Sequence, residues 1–193
     1  AIPWFLMDIG LYGIGLFTPI LLAGILVSGG SSGSFLKSDF EATASSAFTD
    51  LFLVVGFAVN ILLVERVGRI RLQVVGFVGM TIGLVVVSLS GDGSVLPLVL
   101  LGFVMFNVFV NAGPNATTYL LPAEVYPTRL RGTGHGFAAA CGKFGAAVGT
   151  LFLPVAVAAF GIDSTMLGIA LLCAVGAVVT AIFRVETKGL ALE

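Results

Sequence analysis

The sequence predicts an all-α integral membrane protein with six transmembrane helices. Three observations carry that reading. Hydrophobic residues make up 58% of the 193 and charged residues only 10%, against about 45–50% and about 25% in a soluble domain. Mean hydropathy is +1.14, more apolar surface than a core of this size can hide from water. The apolar residues also fall in six long runs, at 4–27, 46–64, 72–89, 95–121, 132–160 and 165–183. Each approaches the ~20 residues that cross a bilayer as a helix.

The first run has no basic lead, carries Asp8 and is too long for the apolar part of a signal peptide. Trp4, Asp8 and Tyr12 stand at i, i+4 and i+8, on one helical face. Gly10, Gly13 and Gly15 loosen that helix, and Pro19 removes a bond from its ladder. A Gly/Ser-rich connection, Ser28–Ser45, leads to the second run, which holds Asp50 near its outer end. Gly76, Gly79 and Gly83 line one face of the third run, as Gly142, Gly145 and Gly149 do in the fifth. Small residues let helices approach closely in lipid, so both stripes read as helix–helix seams. The fourth run carries Asn107, Asn111 and Asn115 at i, i+4 and i+8, with Tyr119 one turn on and Gly113-Pro114 interrupting the helix. The fifth run contains Lys143, and the sixth is uncharged.

Lysine and arginine orient the bundle. Arg66, Arg69, Arg71, Arg129, Arg131, Arg184 and Lys188 fall on one side, and only Lys37 on the other, among Asp39, Glu41, Asp92 and Asp163. The basic side is expected to be cytoplasmic, with both ends of this chain there. A net charge of −1 gives nucleic acid no electrostatic purchase. Cys141 and Cys173 sit in apolar runs and indicate no disulfide framework. The single His135 has no Cys, Asp or Glu partner at metal-ligand spacing, and no serine sits in a nucleophile elbow. The sequence therefore predicts no metal, no cofactor and no enzyme.

Ionisable groups deep in a membrane are expensive and mark function by default. Asp8 and Lys143 are two such groups, of opposite sign. They read either as a mutual salt bridge or as a substrate and proton site, and Trp4 either as an interfacial anchor or as part of that site. The Trp4, Asp8, Tyr12 face looks like the lining of a polar cavity. Asn107 reads as an interhelical hydrogen-bonding group, Asn111 as either that or a ligand, and Asn115, just past the Gly113-Pro114 break, as the best ligand of the three. Lys143, Asn115, Tyr12 and Trp4 donate hydrogen bonds and Asp8 accepts one. That set suits a small oxyanion with its own hydroxyl protons, of which dihydrogen phosphate is one.

Three motifs then resemble the C-terminal half of a major facilitator superfamily transporter. Glu65-Arg66-Val67-Gly68-Arg69 resembles the acidic-R-x-G-R loop between helices 8 and 9. Pro122-Ala123-Glu124-Val125-Tyr126-Pro127 through Arg131-Gly132 resembles the P-x-E-x-[FY]-P-x-x-x-R-G stretch after helix 10. Glu186-Thr187-Lys188-Gly189-Leu190 resembles the P-E-T-K-G-L tail, with Val185 in place of proline. Within the superfamily, Gly113-Pro114-Asn115 with Thr117-Thr118-Tyr119, and His135-Gly136 with Cys141-Gly142-Lys143, are most similar to phosphate:proton symporters. The helix 7 and helix 10 motifs of sugar porters are absent.

The resemblance implies that residues 1–193 form one six-helix half of a twelve-helix fold, the N-terminal half being absent from this chain. It implies proton-coupled phosphate transport by alternating access, in the cell membrane. The substrate site would be Trp4, Asp8, Tyr12, Asn111, Asn115 and Lys143, with Asp8 carrying the proton. Glu65, Arg66, Arg69, Glu124 and Arg129 would form a cytoplasmic gate. Its partners would be inorganic phosphate, protons, the lipid bilayer and the other six-helix half. A sugar or organic-anion porter of the same superfamily, or a non-transporting membrane scaffold, are the alternatives.

Overall fold

The computed structural model describes residues 1–28, 35–90 and 96–189. Residues 24–28 and 35–39 are described in backbone only, which leaves Lys37 and Asp39 without a side-chain account. Asp92 and Leu190, both used in the sequence reading, lie outside the described residues. All regular structure among the described residues is helical. The elements are α1 (Ile2–Ser28), α2 (Phe35–Val67), α3 (Arg69–Leu89), α4 (Leu96–Ala112), α5 (Pro114–Val125) and α6 (Arg131–Ile182). Five helical stretches are long and apolar enough to cross a membrane, α4 and α5 together forming one of them.

The elements differ from expectation at specific residues. The connection expected over Ser28–Ser45 is already helical from Phe35, because glycine ends at Gly33 and the Ser/Thr/Ala residues that follow tolerate a helix. Helix α5 continues through Pro122 to Val125, where a loop was expected from the proline. The loop expected at Gly161–Ser164 reduces to one residue. Gly161, with φ +80° and ψ 170°, interrupts an otherwise continuous α6 of 52 residues. A side chain would be strained at that φ.

Packing follows the small residues. Helix α1 packs chiefly on α6, α3 on α4 and α6, and α2 on α4 and α1. A methyl group on Gly142, Gly145 or Gly149 would run into Trp4, the Phe5 carbonyl or Ile9 of α1. On Gly76, Gly79 or Gly83 it would run into Pro114, Phe109 or the Gly102 carbonyl. Both glycine stripes are therefore seams. Between them lies a buried core that includes Met7, Phe77, Met80, Leu84, Phe103, Phe106, Met166 and Cys173.

Two polar devices hold the interrupted α4–α5 segment. Gly113, at φ −126° and ψ −99°, departs from the helix, and Asn60 of α2 donates to the Ala112 carbonyl beside that break at 2.7 Å. Below it, Thr117 donates to Gln73 Oε1 at 2.9 Å and Gln73 donates to Thr180 Oγ1 at 2.9 Å. That chain ties α5, α3 and α6 together. Buried backbone and amide groups have no water to fall back on in lipid, so these bonds are what makes the irregular segment tolerable.

Candidate functional site

Helix α1 places Trp4, Asp8 and Tyr12 along α6, opposite Gly142 and Lys143. Lys143 Nζ donates to the Tyr12 hydroxyl at 2.7 Å and lies 4.4 Å from the centre of that ring. It stands 3.6 Å from Asp8 Oδ2, just outside hydrogen-bond reach. The Asp8 side chain is 2% exposed and that of Lys143 53%. Asp8 Oδ2 is buried without a hydrogen-bond partner, a costly state for a carboxylate oxygen. The site thus has a half-exposed ammonium beside a buried carboxylate.

Trp4 is buried against Gly142, and its indole nitrogen has no hydrogen-bond partner. Tyr119 of α5 meets the Trp4 ring at a centroid distance of 4.3 Å. Asn115 lies one turn before Tyr119 on the same helix.

The asparagine stripe is wired in one direction. Asn107 donates to the Thr49 carbonyl at 2.9 Å and to Asp50 Oδ1 at 3.3 Å, across to α2. Asn111, fully buried, donates to the Asn107 main-chain carbonyl at 3.1 Å. A carbonyl can only accept, so the Asn111 amide orientation is fixed with its Oδ1 toward Asn115. Asn115 then donates to it at 2.7 Å. One N–H of Asn115 is used, and its second N–H and Oδ1 remain for a ligand.

At the charged end the gate candidates divide. Arg69, buried, forms ion pairs with Glu65 at 2.6 Å and Glu124 at 2.8 Å. Arg66 is exposed and enters the cluster through its main-chain carbonyl, which accepts from Lys188 Nζ at 2.5 Å. Arg129 is exposed on the connection after α5.

Glu186 and Thr187, which in the sequence stand out only as part of a motif, are central to this cluster. Glu186 accepts from the first N–H groups of α3, Arg69 at 3.0 Å and Ile70 at 3.2 Å. It thereby supplies the cap that Gly68 lacks. A side chain on Gly68, whose φ is +103°, would collide with that carboxylate. Thr187 donates to Glu124. Nothing in helical periodicity could have signalled these pairs, which join residues 63 to 117 positions apart.

Comparison with known proteins follows the same lines. A family model described as "Sugar (and other) transporter" matches residues 32–193. The "Probable inorganic phosphate transporter 1-6" of Arabidopsis thaliana is 34% identical over 100% of this chain and 38% of its own length. The "Repressible high-affinity phosphate permease" of Neurospora crassa is 36% identical over 77% of this chain and 26% of its own. A solved structure of the major facilitator superfamily proton:xylose symporter XylE superposes on 99% of this chain and 40% of that one, with a TM-score of 0.81 at 18% identity. The chain therefore spans about two fifths or less of the proteins it matches, and the last likeness concerns the fold alone.

Proposed function

The chain belongs to the sugar (and other) transporter family, within the major facilitator superfamily, and from that premise we propose that it is the C-terminal half of a proton-coupled transporter of inorganic phosphate. In this reading residues 1–193 work with an N-terminal six-helix half, and the substrate lies near the midplane between them. A 52-residue helix would be about 78 Å long, far more than the ~30 Å hydrocarbon core. The break at Gly161 supports counting α6 as two crossings, six in all. An even number, with the arginine-rich connections at one end, supports cytoplasmic placement of both ends of this chain in the cell membrane.

The observation that carries the phosphate reading is the arrangement of Lys143. A structural ion pair would be buried on both sides and closed by hydrogen bonds. Here the ammonium is half exposed and turned toward Tyr12, while the carboxylate oxygen behind it is unsatisfied. Relatives named as phosphate transporters support the choice of anion.

In the cycle we propose, Asp8 takes a proton from the outer side and loosens its hold on Lys143. Dihydrogen phosphate docks on Lys143, Tyr12 and Asn115, with Asn111 fixing the Asn115 amide and Trp4 at the charged end. The halves rock around the site, and the Arg69 cluster with Glu65, Arg66, Glu124 and Arg129 latches the cytoplasmic side when it closes. Proton and phosphate leave inward, and Asp8 and Lys143 pair again.

Phosphate binding by the complete, reconstituted transporter tests this. Radiolabelled phosphate should bind saturably, with arsenate competing and hexoses not. Competition by glucose without competition by arsenate would move the chain to the sugar porters.

A further inference from the structure

The two parts of α6 on either side of the Gly161 break, 131–160 and 162–182, leave a groove of about 560 Å³ between them. Phe152 and Phe160 line it on the first part, Gly168 on the second, and Ile9 enters from α1. Along the first part the lining runs from Val148 to Phe160, a rise of about 18 Å. Half of the ~30 Å hydrocarbon core is about 15 Å, so the groove has the length of one leaflet. It begins beside Gly161, where the two parts meet, and ends where α1 seats on α6. There a methyl group on Gly149 would overlap the Ile9 carbonyl.

Three observations say what fills it. Gly142, Gly145 and Gly149 are jammed against α1, but a methyl group on Gly168 would meet nothing within 4 Å. Gly168 therefore opens space that no group of this chain uses. The lining has no charged side chain, and its two hydroxyls are those of Ser164 and Thr165, the latter donating to the Gly161 carbonyl at 2.7 Å. The occupant is thus apolar over its length, with at most a polar end near Ser164. The rim is continuous with the apolar surface of a membrane-spanning helix, since Phe152 and Phe160 are exposed beside Leu151 and Val155. In that setting lipid, not water, is the medium, and unfilled space would forfeit the contacts of every lining atom. A helix of another protein would lie along a whole crossing, whereas this groove stops halfway.

We propose that this groove holds one acyl chain of a phospholipid from the leaflet at the Gly161 end, its headgroup side at Ser164 and its methyl end against Ile9. The site is independent of the transported substrate and stands on the membrane-spanning fold alone. It selects by shape, and Gly168 sets its depth. A side chain at position 168 therefore competes with the acyl chain without colliding with the protein.

Photolabelling of the complete transporter in phosphatidylcholine vesicles tests this. Two photoactivatable phosphatidylcholines are used, one with the diazirine near the acyl carbonyl and one with it at the chain end, and labelled residues are located by mass spectrometry. The first should label around Phe160 and Ser164 and the second around Ile9 and Val148, both saturating as the probe fraction rises. Gly168→Leu should lower labelling at these residues several-fold and leave that of Val75, exposed on α3, unchanged. Should the variant fail to fold, the two maps on the unmodified protein still decide. Labelling that spreads evenly over exposed apolar residues without saturating means ordinary solvating lipid and overturns the site. So does a Gly168→Leu protein labelled like the unmodified one, or a groove that neither probe reaches because a sterol or another protein segment fills it. None of these results bears on phosphate binding, so the transport reading is tested separately.

Discussion

Lys143 and Asp8 stand 3.6 Å apart but in different surroundings, the lysine side chain 53% exposed and the aspartate 2%. The pair is consequently not one object. The half-exposed ammonium is the group that a ligand would reach first, and the buried carboxylate would act on that ligand through the ammonium. Opposite charges within about 4 Å bind each other's charge state. In the cycle proposed above, protonating Asp8 would remove the competitor for Lys143 as the anion arrives.

If Asp8 carries the coupled proton, Asp8→Asn in the complete transporter should abolish uphill, pH-driven phosphate uptake. The amide mimics the protonated form, so Lys143 stays available and phosphate-for-phosphate exchange should persist. Uptake into proteoliposomes with and without an imposed pH gradient separates the two. Full proton-driven accumulation by the variant would remove Asp8 from the mechanism.

The Arg69 cluster predicts an order of sensitivity. Arg69 is shared between Glu65, whose side chain is 70% exposed, and Glu124, which is 13% exposed and also accepts from Thr187. Exposed ion pairs contribute little because water and salt screen them, whereas losing one partner of a desolvated pair strands the other. Glu124→Gln should lower both the melting temperature in detergent and the uptake rate several-fold, and Glu65→Gln should change neither appreciably. The reverse order would mean that the latch closes through the exposed pair.

Much of this arrangement was legible in the sequence, for identifiable reasons. The Trp4, Asp8, Tyr12 face and the two glycine stripes follow from helical periodicity, which survives whatever the helices pack against. Lys143 stood out because a charge in an apolar run is costly. Asn60, Gln73, Thr180 and Glu186 were not legible. Their partners on other helices lie 44 to 117 residues away, and local pattern carries no information about such pairs. Boundaries failed where local rules met tertiary context. Pro122 lacks an N–H, yet its helix continues to Val125, since packed neighbours hold a proline-containing turn that would not persist alone.

Asn60 yields a stability prediction at the α4–α5 break. The residue is 4% exposed, and its side-chain amide donates to the Ala112 carbonyl at 2.7 Å. Asn60→Leu keeps the volume and removes the donor, leaving a carbonyl beside Gly113 unsatisfied in an apolar setting, at a cost of about 1–3 kcal/mol. Thermal unfolding of the purified transporter should show a melting temperature several degrees lower. An unchanged value would indicate that water or another group satisfies Ala112.

A double replacement separates the two possible uses of Lys143. A lysine at the centre of a membrane helix costs ~2.5–3.5 kcal/mol on insertion scales, so it needs a use. If that use is only to pair with Asp8, removing both charges together should be tolerated, as buried pairs often are when replaced as a unit. If Lys143 neutralises the anion, the folded Asp8→Asn/Lys143→Gln protein should lose most of its phosphate affinity. Lys143→Gln alone should weaken binding roughly ten- to a hundredfold, since a charge-assisted contact contributes about 1.5–3 kcal/mol. Tyr12 makes the comparison sharper. Its hydroxyl, 2.7 Å from Nζ, remains in the double variant and can still donate to phosphate, so a residual weak affinity is expected rather than none. Near-normal affinity in the folded double variant would reduce Lys143 and Asp8 to a structural pair and leave the anion site without its charge.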